Sequence, residues 1–300
     1  MMPVQGGIVE RCGGRSPGGI ARFPPVTDTA ALAAEVAELQ WYHTIELAPG
    51  VVTPGWVDTR EIARQVPFPA SLHGKRCLDV ATFNGFWTFE MERRGAREVI
   101  GIDVLDPAGW DWPPGSDPDT IAILAERQAG GRGFEIAKRA LGSAVERLER
   151  SVYDLDPDDV GMFDVVYIGS LLVHLRDPVT ALERVRSVCD GTLVVVDGVD
   201  PLLSLLFRRH PVATLDGVGR PWWWYGNPAN LAQLVSVAGF DVIDGPRRLY
   251  IPPGPGQQTA PLRPGLLRTR AGQMAFMVSW KGDPHASLVA RPRHSLQGRA

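Results

Sequence analysis

Arg76-Cys-Leu-Asp-Val-Ala-Thr-Phe-Asn-Gly-Phe-Trp-Thr-Phe-Glu-Met-Glu-Arg-Arg-Gly95, followed by Glu98-Val-Ile-Gly-Ile-Asp103, decides the fold. Arg76 to Ala81 reads as a short buried strand carrying an acid near its C-terminal end. Phe86 to Arg94 has helical composition and stops at Gly95, a residue suited to the C′ position. Glu98 to Asp103 is a second strand, again ending on Asp. A strand, a helix and a second strand in so few residues is the unit of a parallel sheet with covering helices.

Working outward, the alternation continues. A helix over about Phe134 to Leu141 leads to a third strand near Leu148 to Tyr153, and Phe163 to Gly169 is a fourth. Asp177-Pro178 supplies an N-cap and an N1 proline for a helix to about Val188, and Thr192 to Asp197 is a fifth strand. Asn227-Pro228 repeats the device for a helix that ends at Gly239. Two further strands are expected at about Phe240 to Tyr250 and Gln273 to Trp280. The result is an α/β, Rossmann-like doubly wound sheet of seven mostly parallel strands. Upstream, Thr27-Asp28 caps a helix to about Gln40. Residues 1–26, rich in Gly and Pro, read as a flexible arm. The expected organisation is therefore an arm (1–26), a helix and cofactor-covering segment (27–74), the main domain (75–283) and a flexible basic tail (284–300).

Composition narrows the class. The chain has 300 residues, 44% of them hydrophobic and 22% charged, enough to bury a core without disulfides or metal. Three cysteines (Cys12, Cys77 and Cys189) with no close spacing exclude a disulfide framework and a Cys-type zinc site, and fit a reducing cytoplasm. The six histidines include no i, i+4 pair, so no metal site is expected. The longest apolar run reads as a strand rather than a membrane span. The net charge of −3 is uneven: from Gly245 onward nine Lys or Arg face one Asp, which leaves about −11 for the remainder. Such a basic end is either a solvated tail or an RNA or anion footprint.

In a doubly wound sheet, ligands bind at the C-terminal ends of the strands. The first such loop, Asp79-Val-Ala-Thr-Phe-Asn-Gly85, keeps one of the three glycines that a dinucleotide fingerprint needs. An acid plus free backbone N–H groups suits instead the ammonium and carboxylate of the methionine end of S-adenosylmethionine (SAM). Asp103, 24 residues on, can accept from both ribose hydroxyls, and Asp154, read as the end of the third strand, from the adenine amino group. Any one of these acids could simply cap a turn; the set of three points to the cofactor.

Several strings, in order, resemble one methyltransferase group. They are Trp41-Tyr-His-Thr-Ile-Glu-Leu47, Thr53-Pro-Gly-Trp-Val-Asp58, the segment from Leu78 to Ala96, Trp110-Asp-Trp-Pro113, Ser151-Val-Tyr-Asp-Leu155 and Gly169-Ser-Leu-Leu-Val-His-Leu-Arg-Asp-Pro178. The group is the tRNA 5-carboxymethoxyuridine/5-methoxyuridine methyltransferase-like proteins, and the resemblance covers about 41–240. It implies a class I SAM-binding fold. Around the cofactor it implies Ala81 to Gly85, with Thr82 and Asn84 among them, and Asp103, Asp154 and Gly169; Trp41, Asp79, Val104, Tyr153 and Ser170 are the further candidate cofactor residues. Alanine stands at Ala81 where the group usually has glycine. The long helical extension of the tRNA enzymes has no counterpart before Trp41.

Methyl transfer from a sulfonium is an in-line displacement, in which a base matters only if the acceptor must lose a proton. His174, in the loop after the fourth strand, is the candidate base, or a structural histidine orienting that loop. His43 is a second candidate, a lid contact or an ordinary packed histidine. Trp222, Trp223, Trp224 and Tyr225 could stack on a flat acceptor or cover the sheet edge. Trp110 and Trp112 could flank the adenine. The leading expectation is an O-methyl transfer to a small molecule in secondary metabolism. The alternatives are a tRNA wobble-uridine enzyme, possibly using carboxylated SAM, and a SAM-binding regulator without transfer activity. The acceptor and the oligomeric state are not legible.

Overall fold

A computed structural model describes residues 28–219, 221–257, 268 and 270–293, so the expected arm at 1–26 lies outside the described residues. Seven strands form the main sheet: β1 (Arg76–Val80), β2 (Glu98–Asp103), β3 (Glu146–Glu149), β4 (Phe163–Gly169), β5 (Cys189–Gly198), β6 (Phe240–Ile251) and β7 (Asp283–Pro292). Their order across the sheet is 3-2-1-4-5-7-6. The first five pair in parallel, while β7 runs antiparallel between β5 and β6. The strand order reverses between β1 and β4, and this switch point places the cleft.

Both faces of the central strands are covered, as their sequences require. On β4, Val165 and Tyr167 enter one core while Val166 and Ile168 enter the other; on β5, Val194 and Val196 alternate with Leu193 and Val195 in the same way. The first core includes the N-terminal helix α1 (Thr29–Ala37), α2 (Phe86–Arg93) and the helix Arg132–Leu141. The second is closed by the helices Pro178–Val188 and Pro228–Val237. The capping signals act as read: Asp28 Oδ1 accepts from the N–H groups of Ala30 and Ala31, Asp177 Oδ1 from that of Thr180, and Asn227 Oδ1 from that of Asn230.

Three expectations are corrected. Residues 273–280 lie within a helix, Arg270–Lys281, and not in a strand. The last strand is Asp283–Pro292, largely inside the stretch expected to be a flexible tail, and it is one of the most buried strands of the sheet. Its run from Pro284 to Ala290 carries no full charge, which suits an interior strand; residues 294–300 lie outside the described residues. The third strand ends at Glu149, so Asp154 belongs to a following 3-10 turn, Val152–Asp154, and is exposed.

Ahead of β1 the chain forms two small strand pairs. Trp41–His43 pairs in parallel with Gly55–Val57, and Glu46–Ala48 pairs with Val51–Val52. The Trp41 indole, 2% exposed, donates to the Val36 carbonyl at 2.9 Å, so it anchors this segment to α1.

Candidate functional site

One cavity opens at the C-terminal ends of β1, β2 and β4. It is lined by, among others, His43, Asp79, Ala81, Asp103, Ser170 and His174. The loop after β1 turns through three left-handed residues, Ala81 (φ 61°), Phe83 (φ 52°) and Gly85 (φ 89°). Alanine at Ala81 thus occupies the conformation a glycine would favour, a strain typical of ligand loops. Gly85 can be nothing larger, because a Cβ there would lie 2.6 Å from the Phe89 ring and 2.7 Å from the Phe134 ring. Gly101 on β2 lets the Thr82 side chain approach closely. The two loops then join through Asp103: its Oδ2 accepts from Phe83 N–H at 2.7 Å and its Oδ1 from Val104 N–H at 2.8 Å. Each oxygen keeps lone-pair capacity toward the cavity.

Asp79 is 2% exposed and accepts from the Thr88 hydroxyl at 2.6 Å, while the Thr82 and Thr88 hydroxyls share a very short hydrogen bond. Burial pushes its carboxyl up to about 7, against the pull of the Thr88 and Thr82 hydroxyls. Burial likewise raises Asp103 to about 6, against the buried Gln128 side chain and two backbone N–H groups. Two acids so desolvated gain from a cationic ligand.

Asn84 and Trp41 act indirectly. Asn84 Oδ1 accepts from Tyr42 N–H (2.7 Å) and His43 N–H (3.3 Å), which pins the covering segment to the β1 loop. Neither residue lines the cavity, and nor do Thr82 and Gly85. Asp154 does not reach it either: the strand it was expected to end stops five residues earlier. Asp111 does line it, and its Oδ2 accepts from the Tyr153 hydroxyl at 2.6 Å and from Arg176 N–H at 3.0 Å. Trp110 and Trp112 stack at 5.5 Å between centroids and line the same wall as Val104 and Tyr153.

The aromatic quartet stands behind the wall. Trp223 Nε1 donates to the Asp111 carbonyl (2.6 Å), Trp224 Nε1 to the Arg176 carbonyl (3.1 Å) and Trp222 Nε1 to Asp216 (3.2 Å). None of these, nor Tyr225, is a lining residue; Pro221 is. The three indoles tie loops together through their N–H groups, as buried or half-buried tryptophans usually do.

On the other side lie Tyr42, His43, Thr59, Trp87, Tyr167 and Ile251. Burial lowers the His43 pKa to about 3, so the imidazole is neutral and too weak a base for proton abstraction; a hydrogen-bonding contact is what it can offer. His174 Nδ1 lies 2.6 Å from the Pro221 carbonyl. That oxygen only accepts, so Nδ1 carries the proton and Nε2 of the neutral ring keeps its lone pair.

Three buried polar atoms of cavity-lining residues have no protein partner among the described residues: His43 Nδ1, Thr59 Oγ1 and Arg150 Nε. Each costs about 1–3 kcal/mol if it stays unsatisfied. With the paired acids, the stacked indoles and the strained loop, they fit a polar, cationic nucleoside such as SAM. Asp79 would hold its ammonium, Asp103 its ribose hydroxyls, and the wall of Val104, Trp110 and Tyr153 its base. Sequence reading passed over Tyr42, Thr59, Phe83 and Asp111. Of these, only Asp111 carried a signal, an acid set between two tryptophans.

No protein-family model matches the chain. It is 26% identical over 188 residues to the ubiquinone biosynthesis O-methyltransferase of Marinobacter nauticus, which covers 61% of this chain and 70% of that protein. It is 28% identical over 184 residues to the tRNA U34 carboxymethyltransferase of the same organism, covering 59% of this chain and 47% of that one. The chain therefore spans about half the length of that tRNA enzyme. Among solved structures, the N-terminal domain of EvdMO1, crystallised in the presence of SAH and D-fucose, superposes with a TM-score of 0.50 at 17% identity over 89% of this chain and 98% of that one. By strand order, loop chemistry and sequence relationship together, the chain resembles the class I SAM-dependent methyltransferases.

Proposed function

We propose that the protein methylates a hydroxyl of a small-molecule acceptor, in the cytoplasm and in secondary metabolism. The observation that carries this reading is the His174 imidazole. It lines the same cavity as Asp79 and Asp103, and its tautomer leaves Nε2 free to take a proton. When bound, SAM supplies an electrophilic methyl group on a sulfonium. Everything else falls to the chain's own groups. Asp79 and Asp103 orient the cofactor, and Trp87, Tyr167 and Ile251 exclude water and form an apolar wall for a flat ring. Nε2 of His174 accepts from an acceptor hydroxyl. Two relatives support an O-transfer, since both carry the name ubiquinone biosynthesis O-methyltransferase.

The test is transfer by the purified protein to a panel of phenols and catechols, read as SAH release. His174→Ala should slow transfer about a hundredfold, the lower range for a general base, with SAH affinity unchanged. Undiminished transfer in that variant would remove His174 from the reaction.

A second reading, tRNA modification, is favoured by the tRNA enzymes among the relatives. Arg208, Arg209 and Arg248 line a separate groove that could meet a phosphate backbone. This reading expects tRNA affinity that falls steeply with salt; salt-insensitive or absent binding sets it aside.

A further inference from the structure

Ser170 follows β4 directly and lines the cavity beside His174, yet its backbone is left-handed (φ 52°), a conformation that serine adopts at a cost. The surroundings hold it there. Its N–H donates to the Val196 carbonyl at 2.8 Å, and its Oγ lies 2.9 Å from Nε2 of His285. His285 is 4% exposed and comes from β7, whose register places it opposite Gly198 of β5. Its other nitrogen, Nδ1, lies 3.0 Å from the Asp283 carbonyl. A carbonyl only accepts, so Nδ1 carries the proton, Nε2 is the lone pair, and the Ser170 hydroxyl donates to it. The serine oxygen thereby keeps its lone pairs as acceptors, with the Tyr42 hydroxyl beside it as one donor and room for a second.

Charges complete the arrangement. Asp197, 1% exposed on β5, senses both His285 and His174. Its carboxylate is fixed by N–H groups of Leu172 (2.6 Å) and Gly198 (2.7 Å). The Asp283 carboxylate stands 4.0 Å from Nδ1 of His285. From the covering segment, the Tyr42 hydroxyl is near enough to Ser170 to feel it; burial pushes that phenol up to about 12, so it remains a neutral donor.

We propose that Ser170 and His285 form a proton relay from the acceptor hydroxyl, with Ser170 the contact at the cavity and His285 the buried positioning base behind it. The proposal rests on the O-methylation reading above and deepens it. As the acceptor oxygen gains the methyl group, its O–H bond breaks and the proton goes to Ser170 Oγ. The serine's own proton passes to Nε2 of His285. The positive charge lost from the sulfonium reappears as an imidazolium held between Asp197 and Asp283, and afterwards the proton returns to solvent by the same path. His174 and the relay then face one cavity from neighbouring positions, which suits an acceptor with two adjacent hydroxyls.

Two measurements decide it. The first needs no substrate: ¹⁵N–¹H multiple-bond spectra of the protein with SAH should show His285 with Nδ1 protonated and Nε2 bare, and Ser170→Ala should shift the Nε2 resonance. A protonated Nε2 would overturn the relay, because the histidine would then donate to the serine. The second compares catechol with 4-nitrocatechol, whose more acidic hydroxyl needs less help. Ser170→Ala and His285→Asn should lower kcat for catechol about a hundredfold and for 4-nitrocatechol by less than about threefold, with SAH affinity unchanged. Equal losses on both probes would make the pair structural. Loss of SAH binding in the wild-type protein would instead sink the methyltransferase reading, which the spectra of His285 distinguish from failure of the relay.

Discussion

The half of the cavity proposed for the cofactor and the half proposed for the acceptor are built differently. The cofactor half comes from consecutive loops after β1, β2 and β3, spanning residues 79–153, and its groups are held by short-range bonds such as Asp103 to Phe83 and Val104. The acceptor half draws Tyr42 and His43 from the covering segment, Ser170 and His174 from the β4 loop, Ile251 from the end of β6 and, behind them, His285 from β7. In the first half a local sequence pattern fixes local geometry. In the second, side chains more than a hundred residues apart meet only because the sheet closes. A fold shared with many enzymes thus carries its common chemistry on contiguous loops and its individual chemistry on assembled ones.

Substitutions should separate the two halves. The largest effect is expected from Gly85→Val. A side chain at φ 89° wedged between Phe89 and Phe134 should destabilise the whole domain by about 2–4 kcal/mol, read as a lower urea midpoint. A midpoint unchanged from wild type would mean that the loop is not fixed as described. Next, Asp103→Ala should weaken SAH binding about tenfold or more, since a buried charged contact is worth roughly 1.5–3 kcal/mol. Trp224→Ala, whose indole donates to the Arg176 carbonyl of the β4 loop and does not line the cavity, should leave that affinity within about twofold. Equal losses in both would erase the distinction between the halves.

The smallest effect concerns pH. Asp79 and Asp103 sit at about 7 and about 6 without ligand, raised by burial. A bound ammonium and hydroxyl donors favour the ionised forms, so binding lowers both values and releases protons. SAH affinity should therefore rise from pH 5.5 to about 7.5 and level off above, and titrations in buffers of different ionisation enthalpy should show proton release near pH 6.5. Affinity that falls over this range would reverse the sign and contradict the assignment of the two acids.

The same contrast governs what could be read from the sequence. The β1–α2–β2 unit was legible because period, cap and acidic strand end all agree within 28 residues, Arg76 to Asp103. Asp154 was misread because the third strand is short and ends on a charged residue, Glu149, so the acid after it resembled a strand end. The last strand was displaced because Gln273–Trp280 is as apolar as Pro284–Ala290, and composition alone does not separate a helix from an interior strand. That displacement concealed His285. The acid at the end of the fifth strand, Asp197, carried the same signal as Asp79 and Asp103 and could have been found.

The most direct test of the central claim is calorimetric titration of the wild-type protein with SAH and, separately, with NADH. One SAH per chain with a Kd on the order of micromolar, and no heat from NADH, is the expected result. Absence of SAH binding by the folded protein, or tighter binding of NADH, would contradict the assignment of Asp79, Asp103 and the strained β1 loop as a SAM site.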